Sequence, residues 1–157
     1  MKVLINANIY DSNKVELAKE LSREFSKISE QLTGDYGGTI ENLWIDLELS
    51  EMSFLAFGKP PKPFRYQKRV SGASSMGVPA VPDSFNVGHY SVRPDFEILK
   101  RNSIEKNINY IVTLIYKSTE VLLSKQKKLG GFDATAFRDA YSSVCESLGY
   151  TIDDQIL

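Results

Sequence analysis

The chain of 157 residues has little of the chemistry that most enzymes require. Its one cysteine, Cys145, excludes an intramolecular disulfide and suits a reducing compartment. Its one histidine, His89, excludes acid–base catalysis by two histidines and histidine-rich metal sites. Neither pair of adjacent glycines is followed by Lys-Ser or Lys-Thr, so no phosphate-binding loop is predicted. We therefore expect no catalytic residues, no metal site and no cofactor.

Long apolar runs are also missing. The longest one, within residues 108–123, is interrupted by Asn109, Lys117 and Glu120. It is shorter than the roughly 20 apolar residues that a membrane-spanning helix needs. The start of the sequence has no small-residue cleavage site after its short apolar run, so a signal peptide is not expected. These absences predict a cytoplasmic protein that makes no membrane contact.

The composition is that of a globular protein with almost no net charge. Hydrophobic residues make up 42% and charged residues 25% of the chain, and the formal charge is −1. Such a balance excludes global disorder, a uniformly basic nucleic-acid coat and a wholly acidic DNA mimic. No repeat or linker divides the sequence, and its length is that of one domain. We expect residues 1–157 to form a single domain.

Hydrophobic periodicity predicts the secondary structure. Apolar residues at three- and four-residue steps predict three main helices, whereas alternating residues and turn signals predict four to five strands. The predicted helices run from Asn13 to Thr33, from Asn102 to Lys128 and from Asp133 to Leu148; the predicted strands are Lys2–Ile9, Ile40–Leu49, Phe64–Val70 and Val87–Val92, with Ser53–Phe57 as a further short one. Strands in the middle of the chain read as a meander. We therefore expect an α+β domain with a mostly antiparallel sheet packed against three helices.

The strand around Trp44 presents the clearest candidate binding surface. If the leucines and isoleucine at positions 43, 45, 47 and 49 face the core, then Trp44, Asp46 and Glu48 share the opposite face. An aromatic anchor beside charges that steer a partner is typical of protein-binding hot spots. The alternative is that a helix covers this face and places Trp44 in a second core layer.

A basic segment supports a second interpretation. Residues 58–72 contain five cations and no acid, and Phe64 and Tyr66 alternate with them. Aromatic rings stack on bases while cations neutralise phosphates, so this segment is also a candidate for binding single-stranded nucleic acid. Residues 39–57 carry four acids and no base, which leaves a plainer alternative. In that alternative the acidic strand and the basic segment are neighbours in the sheet and pair their charges.

A small enzyme that uses His89 is the third interpretation. A thiolate activated by an imidazole would require His89 and Cys145 to meet. However, Cys145 falls beside the apolar stripe of the last helix, where a free cysteine is usually a small buried residue. The sequence therefore favours binding over turnover.

Two stretches carry a resemblance to a known class of proteins. These are NLWIDLELSE, residues 42–51, and NVGHYSVRPDFEIL, residues 86–99, which flank the basic segment. Together with the size and mixed charge of the chain, they resemble the single-domain immunity proteins of bacterial polymorphic-toxin systems, including contact-dependent growth inhibition. The resemblance implies a cytoplasmic protein that binds the C-terminal domain of one cognate toxin, often a nuclease, and blocks it.

We therefore expect an immunity protein that occludes the active or substrate-binding site of its toxin. Nucleic-acid binding through residues 58–72 and an enzyme built on His89 are the alternatives. The electropositive site of a nuclease would suit carboxylates as plugs. The candidate partner-binding residues are Trp44, Asp46, Glu48, Glu51, Arg65, Tyr66 and Arg69.

Overall fold

A computed structural model describes residues 1–8, 15–48, 65–70, 87–124, 127 and 130–153. Within these ranges the elements follow each other as one strand, one helix, three strands and three helices. The strands are β1 (Lys2–Asn8), β2 (Asn42–Glu48), β3 (Arg65–Val70) and β4 (Val87–Arg93); the helices are α1 (Val15–Leu32), α2 (Phe96–Arg101), α3 (Ile104–Ser124) and α4 (Ala134–Ser147). None of the described helices combines the length and the apolar character needed to cross a bilayer.

The four described strands form one sheet in the order β1-β2-β4-β3. β1 pairs with β2 in parallel, and β2 pairs with β4 in parallel. Only β3 is antiparallel to its neighbour β4. β1, α1 and β2 thus form a strand–helix–strand unit, in which the helix returns the chain to the start of a parallel strand.

The predicted α+β fold with a mostly antiparallel sheet is wrong. Helices contain more of the described residues than strands do, and two of the three described strand pairings are parallel. The meander was inferred from strands that follow each other in the sequence. In the structure β4 lies between β2 and β3, so consecutive strands β2 and β3 are not neighbours. The predicted short strand at 53–57 lies outside the described residues.

The core lies between one face of the sheet and the helices. Its sheet side is formed by Val3, Ile5, Leu43, Ile45, Leu47 and Val92. Its helix side includes Leu21, Phe25 and Ile28 from α1, Tyr110 and Ile115 from α3, and Phe137 and Tyr141 from α4. The alternation of β1 and β2 and the stripe of α1 therefore face the core as predicted. Ile104, an apolar residue within the predicted helix 102–128, does not belong to the core, because it is 46% exposed.

The start of α3 differs from the prediction. The predicted helix begins at Asn102, but Asn102 ends the short helix α2 and α3 begins at Ile104. The hydroxyl of Ser103 accepts the Lys106 N–H at 3.4 Å, at the start of α3. The helix α2 was not predicted, although its capping residue Asp95 follows a proline and accepts the Glu97 N–H at 2.9 Å. The predicted start of the last helix is confirmed, because the Asp133 carboxylate accepts the Ala136 N–H at 2.9 Å.

Candidate binding face of the sheet

The second face of the sheet carries the residues that the sequence singled out. It consists of the even-numbered positions of β1 and β2 and the odd-numbered positions of β3 and β4, and we call it the outer face. Four of its side chains are described, and none is buried: Lys2 and Trp44 are exposed, and Leu4 and Asn42 are partly exposed. The adjacent odd-numbered residues of β1 and β2 are buried in the core. The two faces of the sheet thus differ in chemistry as well as in burial.

Trp44 lies on β2, an interior strand of the sheet, and is 41% exposed. The prediction that Trp44 belongs to the surface opposite the core is confirmed, and the alternative of a second core layer is wrong. Tryptophan is on average one of the more buried residue types, so this degree of exposure is unusual. A large exposed aromatic side chain in a rigid strand is a common anchor of a binding surface.

The strand register places four residues in one row across the outer face. Trp44 is opposite Leu4 of β1 and opposite His89 of β4, and His89 is opposite Arg69 of β3. Neighbouring strands are about 4.8 Å apart, so the backbone positions of Trp44 and Arg69 are separated by about 10 Å. The row therefore runs from an apolar end at β1 to a basic end at β3.

The acidic positions of β2 and the basic positions of β3 lie two strands apart on the outer face. The position of Asp46 on β2 is opposite Ser91 on β4, and Ser91 is opposite Gln67 on β3. The prediction that the acidic strand and the basic segment are neighbours is therefore wrong for their described parts, because β4 separates them. A partner that lies across the face would contact the acidic positions of β2 and the basic positions of β3.

The structure brings most of the candidate residues together, but not all of them. Backbone positions 44, 46 and 48 of β2 and positions 65 and 69 of β3 belong to the outer face. Tyr66 does not, because it follows Arg65 directly and is opposite Val92, a fully buried residue of the core face. Successive residues of a strand alternate between faces, so the predicted trio of Arg65, Tyr66 and Arg69 is divided. Glu51 lies outside the described residues.

The outer face also includes positions that the sequence did not suggest. Leu4 was not singled out, although it follows the same alternation that buries Val3 and Ile5. Arg93 at the end of β4 is opposite Arg65 and adds a basic position. The alternation within β1 could have identified Leu4, whereas Arg93 follows only from the pairing of β4 with β3.

His89 and Cys145 belong to opposite sides of the sheet. The position of His89 is on the outer face, opposite Trp44. Cys145 lies on α4 in the core, where burial raises the pKa of its thiol to about 12. A thiol with such a pKa stays protonated near neutral pH and is a poor nucleophile. The described part of the chain thus gives no basis for a pair formed by these two residues.

Within the described ranges, no three His, Cys, Asp or Glu side chains are close enough to hold a metal ion. Comparison with known proteins gives no match to a family model, to a curated protein or to a solved structure.

Proposed function

We propose that this chain is a cytoplasmic immunity protein that binds one bacterial toxin domain and neutralises it. In this proposal the outer face covers the active or substrate-binding site of the toxin. The observation that carries the proposal is the exposure of Trp44 on an interior strand, on the face opposite the core. An interior strand is held on both sides by its neighbours, so such an anchor is presented with little loss of conformational entropy on binding.

The composition of the outer face supports a protein as the partner. Trp44 and Leu4 provide apolar area in adjacent strands, and the positions of Asp46 and Glu48 continue the same strand with carboxylates. Hot spots combine a central aromatic residue with surrounding polar groups that exclude water. Acidic positions beside the anchor suit a toxin whose site binds phosphate and is therefore electropositive, as in a nuclease.

The test replaces Trp44, Asp46 and Glu48 together with alanine. We expect binding of the toxin domain to weaken by about 100-fold or more, because loss of a hot-spot residue alone typically costs 2 kcal/mol or more. The thermal midpoint should stay within a few degrees. A matched control replaces Lys19, Arg23 and Glu30, three exposed residues of α1, and should leave binding unchanged.

The partner to use is the C-terminal domain of a large secreted protein encoded next to this chain. Its expression should stop bacterial growth, and growth should return when the chain is expressed with it. The triple variant should fail to restore growth, whereas the α1 control should succeed. If the triple variant protects as well as the unchanged chain, the outer face is not the binding site. If no such neighbour exists, the immunity proposal itself is lost.

A single-stranded nucleic acid is the second candidate partner, and one observation favours it. The register places Arg65, Arg69 and Arg93 on the same face as Trp44. Aromatic rings and cations on one sheet face suit stacked bases and their phosphates. We would expect binding of a labelled oligonucleotide at low salt that weakens steeply as salt rises. Absence of binding at low salt would eliminate this candidate.

A further inference from the structure

The two edges of the described sheet differ in how their backbone groups are bonded. At the β1 edge, the N–H groups of Val3 and Ile5 point away from β2 and are bonded to side-chain hydroxyls. Val3 donates to the hydroxyl of Thr33, the residue after α1, at 3.1 Å, and Ile5 donates to the Ser29 hydroxyl of α1 at 3.0 Å. These hydroxyls therefore occupy donors that would otherwise bind another strand.

The opposite edge belongs to β3, and the direction of its backbone groups follows from the register. The Lys2 N–H donates to the Glu41 carbonyl oxygen. The backbone N–H and C=O groups of odd-numbered β2 residues therefore point to β1, and those of even-numbered residues point to β4. Because Trp44 is opposite His89, even-numbered residues of β4 form their backbone hydrogen bonds with β2. Odd-numbered residues of β4 form theirs with β3. His89 and Arg69 are then a hydrogen-bonded antiparallel pair.

The same alternation leaves one set of β3 backbone groups directed away from the sheet. Odd-numbered residues of β3, including Gln67, bond to β4, whereas the N–H and C=O groups of Tyr66, Lys68 and Val70 point to the other side. Among the described residues, no strand pairs with that side of β3. With respect to the described strands, this edge therefore has three donors and three acceptors in register with an incoming strand.

The positive charge of β3 favours some strands over others as neighbours at this edge. Its six residues include Arg65, Lys68 and Arg69 and no acid. Two copies of β3 that paired edge to edge would place cations near cations, which is unfavourable. A strand rich in carboxylates would instead meet opposite charges across the new ladder. The edge is thus protected against self-association but is complementary to an acidic strand.

We propose that this edge of β3, which pairs with no described strand, binds an extended acidic strand of the partner protein, which continues the sheet beyond β3. This inference rests on the proposed function, since it names the part of the toxin domain that the chain would recognise. Backbone hydrogen bonds to Tyr66, Lys68 and Val70 provide affinity, and the cations of β3 provide selectivity. The added strand would extend the outer face that carries Trp44.

Residue-resolved amide hydrogen exchange tests this inference with a defined probe. The probe is a short capped peptide of alternating valine and glutamate; the control peptide has lysine in place of glutamate. In the free protein, the amides of Gln67 and Arg69 should exchange slowly, and those of Tyr66, Lys68 and Val70 rapidly. The glutamate peptide should slow the second set by about tenfold or more, and the lysine peptide should not.

Three outcomes would overturn the inference. Slow exchange of the even-numbered β3 amides in dilute free protein would mean that another segment of this chain occupies the edge. Protection that rises with protein concentration would mean that a second copy does. Equal effects of both peptides, or no effect of either one, would mean that the edge does not select an acidic strand.

Proline variants separate this inference from the proposed function. Lys68→Pro removes an outward N–H and keeps the bonds to β4, whereas Gln67→Pro removes a bond to β4 and should lower stability. We expect Lys68→Pro to weaken toxin binding by about tenfold or more at unchanged stability. If Lys68→Pro binds normally while the Trp44 triple variant does not, the edge inference fails and the proposed function stands. If both variants bind normally, both fail.

Discussion

The hydroxyl of Tyr141 donates a hydrogen bond to the backbone carbonyl of Val112 at 2.8 Å, and this bond is fully buried. It joins α4 to α3 across the core, where the Tyr141 ring also stacks on Tyr116. A buried tyrosine usually bonds its hydroxyl in this way because an unpaired polar group in the core is unfavourable.

Tyr141→Phe removes this hydroxyl and keeps the ring. We expect the free energy of unfolding to fall by about 1 kcal/mol, since a typical buried hydrogen bond contributes about that much. Tyr141→Ala should lower it by about 3–5 kcal/mol, because the ring volume is lost as well. Urea unfolding followed by circular dichroism measures both values. Equal losses in the two variants would show that the ring contributes nothing beyond the hydroxyl.

Ser29→Ala tests the hydroxyl bond that occupies the β1 edge. The Ile5 N–H loses its buried acceptor, so we expect stability to fall by about 1–3 kcal/mol. Ser26→Ala is the matched control on the same helix. Its hydroxyl donates to the Ser22 carbonyl at an exposed site, and its loss should change stability by less than about 0.5 kcal/mol. Faster exchange of the Ile5 amide in Ser29→Ala, with Ser26→Ala unchanged, would locate the effect at the edge.

Gly38 and Gly149 provide a test of close packing against backbone strain. Both have a positive φ, +73° and +85°, which side chains rarely adopt. A Cβ at Gly38 would also overlap the Phe132 nitrogen and lie 2.7 Å from the Gly130 carbonyl oxygen, whereas at Gly149 nothing lies within 4 Å. Gly149→Ala should therefore cost about 1–2 kcal/mol, the strain alone.

Gly38→Ala should cost clearly more, about 3 kcal/mol or above, because backbone atoms must also move. Thermal unfolding of both variants checks the difference. Similar losses in the two would mean that the turn around Gly38 accommodates a side chain without displacing residues 130–132.

Tyr150 and Glu24 predict how stability depends on pH. The Tyr150 hydroxyl donates to the Glu24 carboxylate, and this bond is the main cause of a Glu24 pKa below its ordinary value of 4.5. A lowered folded-state pKa means that the bond stabilises the protein above about pH 4.5, and that this contribution is lost as the pH falls through the folded pKa.

As the pH falls from about 5 to about 3, the Tyr150→Phe variant should therefore lose less stability than the unchanged protein. Tyr36→Phe is the control, because its hydroxyl donates to the Leu32 backbone carbonyl, which does not titrate. It should lower stability by the same amount across that range. Parallel pH curves for Tyr150→Phe and the unchanged protein would contradict the role of the Glu24 bond.

Local patterns predicted the elements better than their arrangement. The stripe of α1 and the alternation of β2 identified buried and exposed positions, including Trp44, because side-chain direction follows directly from helical or strand periodicity. The same rule separates Tyr66 from Arg65 and Arg69, so these three residues do not share a face of β3. Only the register with β4 shows that the face of Tyr66 is the core face.

The parallel pairing of β1 and β2 could also have been inferred, since a strand followed by a long helix and another strand usually forms such a unit. The insertion of β4 between β2 and β3 had no comparable signal. Strands pair through backbone groups that every residue except proline carries in full, so the sequence of a strand says little about its neighbour.

The sequence by itself determined where the main helices and strands of the described ranges form and which of their residues are apolar, because these properties depend on residues a few positions apart. The tertiary structure decided the strand order, the separation of the acidic positions of β2 from the basic positions of β3 by β4, and the bonding of the β1 edge. These features arise from contacts between segments far apart in the chain. The bonding of the β1 edge, for example, requires α1 to pack on β1 so that the Ser29 and Thr33 hydroxyls reach its backbone.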